Sequence, residues 1–564
     1  MLSDLEIAQA AEMRLIAEIA AALGLAEEDV DLYRKYKAKI SLNVLNKLAD
    51  KPNGKYVVVT SITPTPQGEG KLTTSIGLAM ALQRLGYRAA VCLRQPSLGP
   101  VFGIKGGAAG GGYAQVLPME DINLHLTGDT HAVTTAHNLL AAFVDNHLFY
   151  EHPPRLDPYT ITLPRVVDLN DRALRRVVVG LGGRDYGIPR ESSFDSAMAS
   201  EVMAILALTT SLRDLRARLG RIVVGFTREK QPVTADDLRC AGAMTVLLKE
   251  ALKPNLLQTI EHTPAFIHTG AFASVSLGAP SILADQIALK LNDYVITETG
   301  FGSDLGLEKF CDIKCRYSGL QPDAVVIVAS VRALKMHGGV GHVVAGRALP
   351  EELTRENLAA VEQGCANLIK HIENAQTFGL PVVVAVNRFA TDTEREIAII
   401  ERVAREAGAE GAFVSEAYAR GSAGAIALAT AVTRACARPA RFKFLYATEL
   451  PIKDKIERIA EKIYGAERVD YFPEAEQKIK LYTELGWDKL PICMAKTHLS
   501  LSHDETLKGR PRKFKLPIRD LRAFVGAGFL IALCDNLRTM PALPRVPAGT
   551  RIDVDESGKI VGIV

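Results

Sequence analysis

Residues 56–78 read YVVVTSITPTPQGEGKLTTSIGL, and this stretch decides the fold of the chain. An apolar run predicts a buried strand, a Gly/Pro-rich turn follows it, and an apolar-periodic segment then begins a helix. Glycines let backbone N–H groups converge on phosphate oxygens, while the helix N-terminus and a lysine supply positive charge. The order therefore predicts a phosphate-binding loop. Its predicted nucleotide-binding residues are Thr65, Pro66, Gln67, Gly68, Glu69, Gly70, Lys71, Leu72 and Thr73.

The stretch departs from the general pattern G-x-x-x-x-G-K-[ST] at two positions. Thr65 stands at the first glycine, and Leu72 stands where a hydroxyl residue normally binds Mg²⁺. The alternative is an ordinary turn from strand to helix. The buried strand before the loop and the helix after it favour nucleotide binding.

Length and charge place the chain among large metabolic proteins. Its 564 residues predict two or three domains, and a net charge of +3 without a concentrated basic block argues against nucleic acid or a membrane surface as partner. No apolar run reaches the roughly 18 residues of a spanning helix. Ser3 and Glu6 form the pattern of a capping box, which predicts an amphipathic helix instead of a signal peptide.

The eight cysteines are scattered among apolar neighbours, which predicts reduced thiols and a cytoplasmic location. Cys311 and Cys315 lie four residues apart, but no second ligand pair with zinc-like spacing is near them. We therefore predict no metal site formed by the protein. Periodicity in residues 4–50 predicts helices.

Two further features fall where a parallel sheet places its ligand crevice. Arg94 follows a predicted strand at residues 88–93, which makes it a candidate anion ligand, although a surface arginine paired with a carboxylate is the alternative. Residues 103–113 read GIKGGAAGGGY with apolar neighbours. So much glycine predicts an ordered loop without regular secondary structure, close to the active site.

Continuous apolar runs at residues 324–329 and 381–386 predict strands buried on both faces. Phe389 follows the second run, and Tyr418 follows the next predicted strand. Two aromatic rings at neighbouring strand ends can clamp a flat heterocycle, while ordinary core packing is the alternative. Asp129 is predicted to cap a helix that carries His131.

Several long segments together resemble formate–tetrahydrofolate ligase (formyltetrahydrofolate synthetase). The resemblance covers essentially the whole chain, with its segments in the order of that family. The segments are residues 63–71, 103–113, 118–129, 167–172, 242–245, 300–302 and 328–339.

The resemblance implies ATP-dependent ligation of formate to tetrahydrofolate through formyl phosphate, giving 10-formyltetrahydrofolate, ADP and phosphate. It gives Lys71 and Arg94 catalytic roles in neutralising and holding the transferred group. It implies the substrate-binding residues Lys105, Asp129, His131, Phe389 and Tyr418. It also implies Mg²⁺ with ATP, optionally a monovalent cation, and a homotetramer.

The implied fold is α/β, with a parallel sheet like that of P-loop NTPases, flanked by helices, and additional smaller α/β domains. The expected domains are residues 1–300 for the nucleotide, residues 301–445 for the folate site, and residues 446–564 as a C-terminal α/β domain.

Departures from the family lie within the predicted site. Leu72 replaces a hydroxyl residue, Tyr418 replaces tryptophan, and in residues 268–281 four polar or reactive family side chains give way to Ser274, Leu277, Ala279 and Pro280. Three hypotheses follow. We favour an active ligase; the alternatives are a diverged paralogue that keeps the fold as a nucleotide-binding or assembly partner, and an enzyme that activates a different small carboxylic acid.

Overall fold

The computed structural model describes residues 2–66, 68–103, 109–341, 349–535 and 538–563. A central sheet runs through the molecule, and its twelve strands in the described residues are labelled in chain order. They are β1 Val30–Leu32, β2 Ala38–Ile40, β3 Lys55–Ser61, β4 Ala89–Leu93, β5 Gly110–Gly111, β6 Ala114–Leu117, β7 Asn255–Thr259, β8 Pro264–Ile267, β9 Tyr294–Glu298, β10 Ala324–Ala329, β11 Val382–Asn387 and β12 Ala412–Ser415.

The strand order is β1-β2-β7-β8-β4-β9-β3-β10-β11-β12, with β6 paired to β7 and β5 paired to β6. The pairs from β8 to β12 along this order are parallel, and the remaining pairs are antiparallel. The predicted α/β class is therefore confirmed as a mixed, mostly parallel sheet flanked by helices.

Fourteen helices of at least seven residues occur in the described ranges. They are α1 Asp4–Ala10, α2 Ile16–Ala22, α3 Lys71–Arg84, α4 Asp129–Phe149, α5 Glu201–Leu208, α6 Leu212–Gly220, α7 Ala241–Leu248, α8 Ile282–Leu291, α9 Val331–His337, α10 Leu358–Thr377, α11 Glu394–Glu406, α12 Ile426–Cys436, α13 Ile452–Ile459 and α14 Pro473–Glu484.

Apolar clusters cover both faces of the parallel strands. Alternate residues of β3 point to opposite faces, so Val58 packs in one cluster while Val57 and Val59 pack in the other. Every residue of β10 and β11 is buried. This confirms the prediction that these apolar runs are strands buried on both faces.

Smaller sheets lie in the C-terminal part, where Ile492–Ala495, Phe529–Leu533 and Asp520–Phe524 form one three-stranded sheet. Strands on both sides of residue 300 belong to the central sheet. The domain boundaries at residues 300 and 445 stay predictions.

The first 50 residues are only partly helical. Helices α1 and α2 are present and Ser3 forms the predicted capping box, but β1 and β2 form a hairpin at the sheet edge. The prediction of helices throughout residues 4–50 was wrong there, because β2 pairs with β7 and buries its side chains. All eight cysteines are buried and unpaired, as predicted. Among the described residues no helix is long and apolar enough to span a membrane.

Candidate active site at the carboxyl edge of the sheet

The five middle strands of the parallel part of the sheet, β4, β9, β3, β10 and β11, end at one edge. The polar residues of the site lie at these strand ends or just after them. Ligands of open α/β sheets bind outside the carboxyl ends of the strands, where loops diverge. The terminal residues are Leu93 of β4, Glu298 of β9, Ser61 of β3, Ala329 of β10 and Asn387 of β11.

The loop that is predicted to bind phosphate joins β3 to α3, which confirms the predicted order of strand, turn and helix. Gly68 and Gly70 have φ values of 78° and 76°, a region that favours glycine, and Gly70 is the N-cap of α3. A Cβ on Gly70 would lie 2.2 Å from Nδ2 of Asn387. Asn387 also donates a hydrogen bond to the carbonyl of Glu69 at 3.1 Å. Glycine at position 70 is therefore required by both conformation and space.

Glu69 braces this loop from inside. Its side chain is buried, Oε1 accepts the backbone N–H of Thr65 at 2.8 Å, and Oε2 accepts the hydroxyl of Ser330. The carboxylate thus holds the loop closed, since a buried charge requires such partners. Thr65 is also buried, whereas Pro66 is exposed and Gly68 is half-buried. Gln67 lies outside the described residues.

Lys71 and Arg94 flank the turn at residues 299–302. Lys71 Nζ donates to Ser61 Oγ at 3.4 Å, and Ser61 Oγ donates to the Phe301 carbonyl at 3.0 Å. On the other side, Arg94 Nη1 lies 3.3 Å from the position of a Cβ on Gly300. Arg94 therefore lies beside this turn, and Lys71 is linked to it through the Ser61 hydroxyl.

Glu298 orients Arg94. Its carboxylate accepts Arg94 Nε at 2.7 Å and Nη2 at 3.4 Å, a two-point contact that fixes the guanidinium plane. Glu298 is 4% exposed, and the Arg94 side chain is 27% exposed. The alternative explanation for Arg94 was an ion pair with a carboxylate, and the structure shows such a pair with Glu298. Arg94 nevertheless lies at the carboxyl edge of the sheet, and part of its side chain is exposed to solvent.

Leu72 and Thr73 begin α3 and are half-buried. Leu72 packs against the apolar cluster that contains Leu78. In the same turn, Thr74 Oγ1 is buried without a hydrogen-bond partner. The helix start therefore presents an apolar side chain where the general pattern has a hydroxyl.

The predicted aromatic pair follows β11 and β12, but the two rings have different partners. The guanidinium carbon of Arg332 lies 3.7 Å from the Phe389 ring centroid, and Arg332 Nη2 donates to the Gly68 carbonyl at 3.3 Å. Burial lowers the pKa of Arg332, and its Nε is buried without a hydrogen-bond partner. Tyr418 is 43% exposed and donates to Asp4 Oδ1 at 2.9 Å.

Asp129 and His131 occupy different environments. Asp129 is the first residue of α4, after the N-cap Gly128, and forms a buried ion pair with Lys39 at 2.7 Å. Its other oxygen accepts Asn255 Nδ2 at 2.8 Å. The predicted capping role is therefore replaced by an ion pair, because β2 brings Lys39 against the helix start. His131 is exposed. Lys105 lies outside the described residues.

The glycine-rich segment is described from Ala109 onward. Contrary to the prediction of a loop without regular structure, β5 pairs with β6 as a small hairpin. Gly112 lies against Tyr418, since a Cβ there would approach the Tyr418 carbonyl oxygen to 2.0 Å.

Residues 268–281 pack compactly beside Arg94. Leu277 and Ala279 are fully buried in apolar clusters, and the Thr269 carbonyl accepts the backbone N–H of Gln95 at 2.7 Å. His268 bridges Ser281 Oγ and the Ala251 carbonyl at 2.7 Å each, and burial lowers its pKa to about 4. The apolar replacements thus occupy apolar surroundings.

Sequence reasoning missed Glu298, Arg332 and Asn387 as site residues. Asn387 follows the predicted strand at residues 381–386, and Arg332 lies in a segment that carried the resemblance, so both had a signal in the sequence. No strand was predicted before Glu298. Across the described ranges, no group of three or more His, Cys, Asp or Glu side chains is arranged to hold a metal ion.

Comparison with known proteins agrees along the full length. A family model described as formate–tetrahydrofolate ligase matches residues 2–564. Among relatives bearing that name, the protein of Desulforamulus reducens is 59% identical over 561 residues, covering 100% of this chain and 99% of the relative. The protein of Roseiflexus sp. is 58% identical, covering 100% of both chains. That of Saccharopolyspora erythraea is 54% identical over 100% of this chain and 99% of its own length.

Proposed function

The chain belongs to the formate–tetrahydrofolate ligase family, and from that premise we propose that it joins formate to tetrahydrofolate at the expense of ATP. The observation that carries the proposal is that Arg94 lies beside the turn at residues 299–302 and that Lys71 is linked to the same turn through Ser61. Two cations that border one turn suit a phosphorylated intermediate.

In this reaction a formate oxygen attacks the γ-phosphorus of ATP, and ADP leaves. N10 of tetrahydrofolate then attacks the carbon of formyl phosphate, and inorganic phosphate leaves. Lys71 neutralises charge on the transferred phosphoryl group. Arg94, held in one plane by Glu298, binds the formyl phosphate.

The strand β3, the loop at residues 65–70 and the helix α3 act as a P-loop of the NTPase type. The left-handed Gly68 and Gly70 support this role, because they lead the chain into the N-terminus of α3, and a helix N-terminus attracts phosphate oxygens. When bound with ATP, Mg²⁺ would neutralise part of the charge on the phosphates. This fits a chain that offers no carboxylate cage in its described part, since Mg²⁺ commonly keeps waters and phosphate ligands.

Phe389 and Tyr418 bind the pterin ring by stacking. Lys105, Asp129 and His131 remain in the proposal as substrate-binding residues through the resemblance, with Asp129 acting through its pair with Lys39. Homotetramer formation and a monovalent-cation requirement rest on the resemblance as well, whereas a cytoplasmic location rests on the scattered cysteines. Light scattering tests the homotetramer, and assays in potassium or sodium salts test the monovalent-cation requirement.

The diverged-paralogue hypothesis relied on Leu72 and residues 268–281. The buried packing of Leu277 and Ala279 accounts for the second departure as core replacement. It supports an active ligase over a chain with a damaged site.

The test is an assay of the purified protein with Mg-ATP, formate and tetrahydrofolate, in which acid converts 10-formyl product to the absorbing methenyl form. Lys71→Ala should abolish product. Lys55→Ala is a matched control. Lys55 begins β3, the strand before the loop, at the opposite edge of the sheet, and it pairs with Asp323 at 2.8 Å. No product from the unmodified protein would overturn the proposal, and acetate or propionate in place of formate tests activation of another acid.

A further inference from the structure

Three parts of the chain meet at one carboxylate oxygen. Asp4, in α1, accepts the Tyr418 hydroxyl at 2.9 Å and the Gly112 backbone N–H at 2.8 Å, both at Oδ1. The Asp4 carbonyl accepts Gln115 Nε2 at 2.9 Å. The backbone N–H of Tyr113 donates to the Tyr418 carbonyl at 2.8 Å. The first helix, the β5–β6 hairpin and the segment after β12 are thus joined around one ring.

The glycine backbone runs against the Tyr418 ring at close range. A Cβ on Gly111 would lie 3.0 Å from Cε2, and a Cβ on Gly112 would lie 2.9 Å from Cγ. Those contacts leave no room for a side chain on that side. The ring still keeps 43% of its surface exposed. One side is therefore packed on backbone while the remainder is open to a ligand.

Asp4 gives the ring one orientation. A tyrosine at a strand end can swing about its side-chain bonds unless its hydroxyl is held. Burial and the neighbouring Asp4 raise the pKa of Tyr418 to about 12, so the hydroxyl remains a donor at neutral pH. Tryptophan, which the family has at this position, has no hydroxyl at the ring tip to reach the same oxygen.

We propose that Asp4 is a positioning residue for tetrahydrofolate, which fixes the Tyr418 ring as one wall of the pterin site through the shared hydrogen bonds. The inference rests on the proposed function, since it assigns Tyr418 to the folate. It gives the first helix a part in substrate binding, and it accounts for tyrosine at position 418 as a partner of Asp4.

The experiment measures the dissociation constant for tetrahydrofolate by titration calorimetry, with KM values for ATP and formate alongside. Asp4→Ala and Tyr418→Phe should each weaken tetrahydrofolate binding about fivefold to tenfold, the effect of one ordinary hydrogen bond. The variant that carries both substitutions should bind tetrahydrofolate no more weakly than Asp4→Ala alone. KM for ATP should not change, and Asp4→Asn should restore most binding because its amide oxygen still accepts.

Glu6→Ala is the matched control for helix stability. It removes the contacts of Glu6 with Ser3 that cap α1 and leaves the Asp4–Tyr418 hydrogen bond in place. Its tetrahydrofolate binding should equal that of the unmodified protein. In a Tyr418→Trp background, Asp4→Ala should lose its effect, since the hydroxyl is gone.

Unchanged binding in both Asp4→Ala and Tyr418→Phe, or an equal loss in Glu6→Ala, would overturn the role of Asp4. If Asp4→Ala does not fold, unchanged binding in Tyr418→Phe alone would do so. An unmodified protein that binds no tetrahydrofolate would instead overturn the proposed function, and this inference with it. The two failures are thus separate observations.

Discussion

Arg332 connects the phosphate loop to the predicted folate site, because its guanidinium lies 3.7 Å from the Phe389 ring centroid while donating to the Gly68 carbonyl. A cation over an aromatic face contributes about 0.5–2 kcal/mol, more where water is excluded. Most of the guanidinium is removed from water. The ring that we propose stacks on folate and the loop that we propose binds ATP therefore share one side chain.

We expect Arg332→Gln to raise KM for tetrahydrofolate about tenfold, with a smaller rise in KM for ATP, because the ring loses its cation and the loop loses a donor. Arg332→Lys keeps the charge but not the planar fork of the guanidinium. Its KM for tetrahydrofolate should therefore lie between those of the unmodified protein and Arg332→Gln. Steady-state kinetics in each substrate measures the effect. Equal KM values in all three proteins would contradict the coupling.

Leu72→Thr tests the missing hydroxyl at the start of α3. We expect kcat/KM for Mg-ATP to rise about tenfold, the value of one hydrogen bond to a charged group. Because Leu72 packs against an apolar cluster, the variant should also lose about 1 kcal/mol of stability. Leu72→Val is the control, since valine has the shape of threonine without the hydroxyl. A gain in both variants would point to shape and away from hydrogen bonding.

Asp129→Ala leaves Lys39 buried without its ion-pair partner. Removing one member of a buried pair costs about 3–5 kcal/mol, so the melting temperature should fall by several degrees. Lys39→Met in the same chain should recover part of the loss, because it removes the stranded charge. Calorimetric melting checks both. An Asp129→Ala protein that melts normally yet loses substrate affinity would show direct ligand contact.

Glu201 links α5 to the C-terminal part and should make stability depend on pH. Its carboxylate oxygen accepts the backbone N–H groups of Gly526 at 2.7 Å and Ala527 at 3.1 Å, and burial raises its pKa from 4.5 to about 8. The folded chain therefore keeps a proton that the unfolded chain releases. This contribution to stability is complete below about pH 4.5 and is lost as pH rises towards 8.

Glu201→Gln keeps the acceptor oxygen and removes the titration. The free energy of unfolding of the variant should therefore rise relative to that of the unmodified protein between about pH 5 and about pH 8, by at most about 1.4 kcal/mol per pH unit. If the stability difference between the two proteins stays constant from about pH 5 to about pH 8, Glu201 does not titrate with the raised pKa.

The parallel strands and the turn from β3 to α3 could be predicted because their signals are local. An apolar run, a glycine turn and a helical period all occur within residues 56–78. Contacts between residues far apart in the sequence could not be predicted. Glu298 reaches Arg94 across 204 positions and Lys39 reaches Asp129 only through the hairpin β1–β2, so neither contact leaves a pattern in the sequence. The hairpin itself was hidden by helical periodicity, because edge pairing overrode local preference.

The brace formed by Glu69 has a kinetic consequence. Both of its oxygens are engaged by groups of the protein itself, so we expect that this part of the loop does not have to be ordered by the nucleotide. Ligand capture by a preorganised loop is governed by diffusional encounter and electrostatic attraction, without a slow conformational phase. Stopped-flow traces for nucleotide should accordingly show a single phase whose rate rises linearly with concentration, and Glu69→Gln should introduce saturation.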